Sequence, residues 1–143
     1  MIYFGIDPGK SGSISAIWND GVPFTQSQSM GETEADIVGF IRQFDLDAAR
    51  AVIERVSSSP QMGVKSSFTF GQSYGFLRGI LSAHKIPFVE VQPAKWQQVM
   101  GCRTKGDKNV SKAKAQQLWP HLKITHRNAD SLLIAEYARR TWV

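Results

Sequence analysis

Residues Ile2-Tyr3-Phe4-Gly5-Ile6-Asp7-Pro8-Gly9-Lys10-Ser11-Gly12 limit the folds open to this chain more than any other stretch. Residues 2–6 are β-branched or aromatic apart from Gly5, the composition of a buried strand. Asp7 closes the run, and Pro8-Gly9 turns the chain directly afterwards. Gly9 and Gly12 permit a tight turn and close approach by another group. Small and apolar residues resume at Ser13–Trp18, which predicts a second strand returning as a hairpin. Asp7 then has two readings: it caps the Pro-Gly turn, or it presents a carboxylate at a strand end.

A second run of this kind, Ala51-Val52-Ile53-Glu54, also ends in one acid. Between the two, residues 25–30 alternate loosely as a third strand. Glu32-Thr33-Glu34 opens a helix with acids in its first turn, where the helix dipole favours them. That helix carries Ile37, Phe40, Ile41 and Phe44 at helical spacing. Ser57–Gly63 is a loop by its serines, proline and glycine. A long helix is predicted from about Ser66 to His84. Its Gly71, Gly75 and Gly79 recur every four residues on one face, while Phe70, Tyr74, Leu77 and Leu81 form a bulky stripe read as core. Each helical glycine costs about 1 kcal/mol relative to alanine, so three in one stripe imply close packing of another backbone, in the core or from a second subunit.

Phe88–Val91 is a further strand. Pro93 starts a short helix that directs Trp96 and Val99 inward and stops at Gly101. Residues 102–109 read as a basic loop, 110–119 as a helix. A last helix starts at Thr125 or Asn128, with Ala129, Leu132, Leu133, Ala135 and Tyr137 apolar. Three strands, a helix, a strand, a helix, a strand and further helices predict an α/β fold: a mixed five-stranded sheet with helices on both faces. At 143 residues the chain suits one domain, 1–143.

Composition excludes several function classes. No apolar run approaches the roughly 18 residues of a membrane span, and the N-terminus lacks the pattern of a signal peptide. Cys102 is the sole cysteine, so neither an intrachain disulfide nor a cysteine-built zinc site is available, and a cytoplasmic setting is expected. The net charge of +5 divides unevenly: residues 1–54 hold 3 basic and 8 acidic side chains, a net of −5, and residues 55–143 hold 14 and 4, a net of +10. The second part therefore suits a polyanion. Seven lysines and arginines against one acid lie between Lys95 and Lys123. Lys105, Lys108, Lys112 and Lys114 read as phosphate contacts, or alternatively as a solvated face.

Asp7 and Glu54 emerge on one sheet edge if their strands are parallel neighbours. Asp130, in the first turn of the last helix, is the third candidate, although acids are common there for dipole reasons alone. Two carboxylates 4 Å apart repel by about 4 kcal/mol at an effective dielectric near 20, so a cluster must capture a cation or keep a proton. Hard oxygen donors select magnesium or manganese, and a pair of such ions can drive phosphodiester hydrolysis. His126, four residues before Asp130, is either structural or placed to assist the attacking water or the scissile phosphate.

Four segments together resemble the RuvC-type Holliday junction resolvases, in their compact, phage-like form: Phe4-Gly5-Ile6-Asp7-Pro8-Gly9, Val52-Ile53-Glu54, Gly71-Gln72-Ser73-Tyr74-Gly75 and Asn128-Ala129-Asp130-Ser131-Leu132-Leu133-Ile134-Ala135. The resemblance runs from residue 2 to about 138. It implies an RNase H-like fold and nicking of four-way and related branched DNA with two Mg2+ ions per site, Mn2+ substituting. It implies Asp7, Glu54 and Asp130 as metal ligands and a homodimer formed through the Gly71/Gly75/Gly79 helix. A phage-encoded member would act in the host bacterial cytoplasm. The sequence departs from the family twice. The fourth ligand, an acid or histidine three residues before the last aspartate, is replaced by Arg127, with His126 adjacent: either the helix start is shifted so that His126 serves, or the second metal is held differently, and Arg127 is a candidate DNA contact. The aromatic wedge of cellular members, three residues after the glutamate, is replaced by Ser57, leaving either Met62, Phe68 or Phe70 for that part or a junction opening that relies less on stacking. A junction-binding protein with a degenerate nuclease centre is the alternative. An actin-like ATPase, which shares the Asp-Pro-Gly start, is disfavoured by the missing second phosphate loop and the short chain.

Overall fold

A computed structural model describes residues 1–19, 23–31, 33–103 and 105–142. Glu32, expected in the first turn of the first helix, lies outside them. Five strands, β1 (Ile2–Asp7), β2 (Ser13–Asn19), β3 (Pro23–Ser29), β4 (Ala49–Glu54) and β5 (Phe88–Val91), form one sheet in the order β3-β2-β1-β4-β5. The first three make an antiparallel meander, while β4 and β5 run parallel to β1. The expected mixed five-stranded sheet is thus present. The described residues also form five α-helices: α1 (Glu34–Ile41), α2 (Val64–Ala83), α3 (Pro93–Val99), α4 (Lys108–Leu118) and α5 (Ala129–Thr141).

Side-chain alternation along the strands separates two cores. Phe4 and Ile6 of β1 and Ala51 and Ile53 of β4 face Ile37, Phe40 and Ile41 of α1 and Leu77 and Leu81 of α2. Val52 and Val91 face the other way, onto Trp96 of α3, Ala115 of α4 and Leu132–Ala135 of α5. Asp7 and Glu54 have the parity of this second face. The parallel register pairs Ile6 with Ile53, and one further step sets Asp7 beside Glu54.

α5 lies directly on β1. A Cβ at Gly5 would stand 2.2 Å from both the Ala135 nitrogen and the Ser131 carbonyl oxygen of α5, so only glycine fits. The glycine in the first strand, which interrupts an otherwise bulky run, is the seat of the last helix.

Several boundaries differ from those the sequence predicts. β3 begins at Pro23, as an edge strand tolerates. α1 ends at Ile41, and Phe44 instead packs its ring against Phe4, Trp18 and Phe40. Val99 is 46% exposed, and Met100, the helix's C-terminal cap, takes the inward position. A seven-residue helix has too few turns for periodicity to fix its inner face. α4 starts two residues early, at Lys108, with Asp107 accepting a hydrogen bond from the Asn109 backbone as its cap.

The glycine stripe is not explained within the subunit. A Cβ at Gly71, Gly75 or Gly79 would meet no described residue within 4 Å. On the same helix Val64 and Phe68 are 90% and 69% exposed. Phe70 instead turns toward the Pro-Gly loop, where a Cβ at Gly9 would lie 3.0 Å from its ring.

Candidate active site

The sheet's parity and the docking of α5 bring three acids to one end of one face. Asp7 ends β1, Glu54 ends β4, and Asp130 lies in the first turn of α5. The turn after Asp7 is closed by a hydrogen bond from the Gly12 nitrogen to the Gly9 carbonyl, with Gly9 at φ 106°. α5 begins at Ala129, the later of the two starts the sequence allowed, so His126 stands in the preceding loop and is exposed.

The three carboxyls act on one another. Burial, then the charges of Glu54 and Asp130, push Asp7 up to about 8. Glu54 is raised by burial and by Asp130, against a hydrogen bond from Trp96. Asp130 is raised by burial, against a hydrogen bond from Ser111 and the charges of Lys108 and His126. Lys108 is the cation that acts on all three. It is exposed and opens α4, so the lysine expected only as a phosphate contact stands at the acids.

The other predicted contacts lie in the loop before α4, on α4 and in the loop before α5. Lys105 is exposed in the loop before α4, at φ 46°. Lys112 and Lys114 are half-buried on α4. Arg127 is exposed, and its carbonyl accepts a 2.7 Å hydrogen bond from the Ser13 hydroxyl. Its guanidinium is not a carboxylate substitute, so the fourth-ligand position of the resemblance holds no metal donor.

Sequence reasoning missed the groups that hold the acids in place. Ser13 and Ser15 of β2 both bond Ser131 of α5, and Ser15 also bonds Ser27 of β3 at 2.7 Å. Ser13, Ser15 and Ser131 are fully buried. They pin the first turn of α5, and with it Asp130, to the sheet. Their sequence signal is slight: two serines at alternate positions in an apolar strand, facing the same way as Gly5. Trp96 was expected in the core, but its indole nitrogen also donates to Glu54 Oε2 at 2.7 Å.

Hard oxygen donors of this kind suit a divalent cation such as magnesium or manganese. The donor set fits in kind: three carboxylates, each raised by its neighbours or by burial, with one Glu54 oxygen already tied back to Trp96. The spacing is open. Among the described residues, no group of three or more acid, histidine or cysteine side chains is gathered so that it could hold a metal ion.

No protein-family model matches the chain, and no curated protein does. Solved structures do. One is RuvC of Thermus thermophilus in complex with a Holliday junction substrate, at 15% identity and a TM-score of 0.69, covering 99% of this chain and 97% of that one. Another is a structure of Thermus thermophilus RuvC, at 17% identity and a TM-score of 0.60, covering 98% and 96%. The near-complete coverage on both sides means that compactness does not distinguish this chain from them. From β1 to α5 the chain has the RuvC, RNase H-like fold.

Proposed function

We propose that the chain is a metal-dependent, structure-selective DNA endonuclease that resolves Holliday junctions and related branched DNA. One observation carries the reading: β1, β4 and α5 bring Asp7, Glu54 and Asp130 to one end of the sheet, near enough that Glu54 and Asp130 both push Asp7 up and Lys108 acts on all three, within a RuvC-like fold. Asp7, Glu54 and Asp130 would hold two magnesium ions, or manganese in their place. Bound there, the ions supply charge neutralisation and water activation for phosphodiester hydrolysis. Holding them requires the three side chains to close in, which mutual repulsion opposes until a cation arrives.

The chain's own residues supply the rest. Lys108 holds the scissile phosphate against the acids. His126, exposed in the loop before Asp130, assists the attacking water or holds the scissile phosphate. Lys105, Lys112, Lys114 and Arg127 hold the flanking backbone. The open glycine stripe of α2 pairs with that of a second copy, so the homodimer presents two sites for opposed strands. Phe68, the more exposed of the two α2 phenylalanines considered, meets the unpaired bases at the crossover. Residues 1–143 work as one nuclease domain, in the cytoplasm, and for a phage-encoded form in the host's. The phage-like assignment rests on the sequence resemblance alone.

Incubating purified protein with an end-labelled four-way junction, with and without Mg2+, tests the reading. Paired nicks only with Mg2+ are expected. Arg127 at the fourth-ligand position and the open spacing of the acids favour a second reading, a junction-binding protein without nuclease activity. Tight junction binding without nicks in Mg2+ or Mn2+ selects that one.

A further inference from the structure

Trp96 is completely buried and is the largest such side chain among the described residues. It stands in the first turn and a half of α3, the helix Pro93 opens directly after β5. Volume alone does not call for tryptophan. A phenylalanine would also fill an apolar niche, without an N–H that needs an acceptor. An indole N–H left unpaired in a core is costly, because burial strips its water partner and nothing replaces it. Here the acceptor is a carboxylate, Glu54 Oε2 at 2.7 Å, from a residue 42 positions away in the chain. A bond to a charged acceptor is shorter and stronger than a neutral one, and it fixes the acceptor's rotamer.

We propose that Trp96 is a positioning residue for Glu54: its indole N–H ties down Oε2 and leaves Oε1 as the oxygen offered to a divalent cation. The proposal rests on the reading of Glu54 as a metal ligand. It assigns to a core aromatic the part that outer-layer hydrogen-bond donors play around ligating side chains elsewhere. It also accounts for the sequence of β5 and α3: the short strand beside β4 ends at Val91, and Pro93 turns the chain at once, so that Trp96 passes back under the end of β4.

Two measurements on the full chain test it. In the first, Mn2+ affinity is measured by calorimetry for wild type, Trp96→Phe, Glu54→Gln and the double variant. Outer-layer substitutions cost about 10–100-fold in metal affinity, and Trp96→Phe is expected in that range. In the Glu54→Gln background the same change should cost nothing further. Unchanged affinity in Trp96→Phe, or an equal loss in both backgrounds, overturns the proposal, because the effect is then absent or a general loosening of the core. The second measurement does not depend on how well Trp96→Phe folds. The chain has four tryptophans, and phenylalanine at each of the other three assigns the Trp96 indole N–H resonance by elimination. That resonance should move saturably with Mg2+ in wild type and stay fixed in Glu54→Gln. A resonance that stays fixed in wild type while calorimetry records saturable binding overturns the proposal alone. A wild-type protein that binds neither Mn2+ nor Mg2+ overturns the metal reading and the proposal together.

Discussion

Asp7 bears the greatest electrostatic load of the three acids. Its ordinary value is 3.8 and its folded value about 8, from burial first and then from Glu54 and Asp130. The unfolded chain therefore releases this proton well before the folded one does. Below about pH 4 both states hold it and the load is absent; as pH rises through about 8 the folded state becomes progressively less favoured. Metal-free protein should melt at a falling temperature from about pH 5 to pH 8, and Mg2+ should restore more stability at the upper end than at the lower. Asp7→Asn removes the charge, so it should raise the pH 8 melting temperature and flatten the profile. The same variant, like Glu54→Gln and Asp130→Asn, should lose nicking while still binding a four-way junction. Thermal melts in chelator across the pH range, with junction gel shifts beside them, give both results. A flat wild-type profile would remove the load from Asp7, and a nicking-competent Asp7→Asn protein would remove the site.

At the scale of elements, the site is the meeting of β1, β4 and α5, and Gly5 sets how closely they meet. A methyl group there would overlap α5 backbone, so Gly5→Ala must push the helix off the strand. A loss of about 3 kcal/mol or more by chemical denaturation is expected, toward the upper end for overpacked cores, and with it a loss of nicking as Asp130 moves. α2 predicts the reverse. No described residue lies over Gly75, so Gly75→Ala should stabilise the isolated chain by up to about 1 kcal/mol. If α2 pairs with a second copy, the same methyl group weakens the dimer, which sedimentation over a concentration series records. A dimer unaffected by Gly75→Ala moves the interface elsewhere. These elements also mark how far the sequence could be read. Strands ending in single acids, a Pro-started helix and an acid after Asn128 are local patterns, and each lies within a residue or two of its expected place. The tie from Trp96 to Glu54 and the contacts of Ser13 and Ser15 with Ser131 join residues 42 to 118 positions apart, and no local pattern encodes such a partner. The spacing of the acids was illegible for the same reason: residue types set the donor chemistry, while side-chain approach is set by packing.

Over the whole molecule, charge is divided between bases already committed and bases left for a partner. Arg139 and Arg140 both bond Glu136 at 2.7 Å, and Arg78 pairs with Glu90 at the same distance. Arg103, Lys105, Lys108, Lys112, Lys114 and Lys123 enter no ion pair with any described residue. These six run from the loop before α4 along that helix and past it, and Lys108 among them acts on all three acids. A strand of DNA lying along this flank would pass its phosphates over Lys105 and then Lys108 before reaching the acids. The two lysines should therefore differ in kind. Lys105→Ala should weaken junction binding and lower the slope of log affinity against log salt by about 0.9, the share of one duplex phosphate contact. Lys108→Ala should lower that slope equally but also slow nicking at saturating DNA, because its charge reaches Asp7, Glu54 and Asp130. The double variant should lose about 1.8 in slope while its saturated rate matches that of Lys108→Ala alone. Binding titrations at several salt concentrations, paired with single-turnover nicking, separate affinity from rate. Equal rate losses in the two single variants would make the flank a uniform phosphate track with no special place for Lys108, and salt slopes that do not change would take DNA off this face altogether.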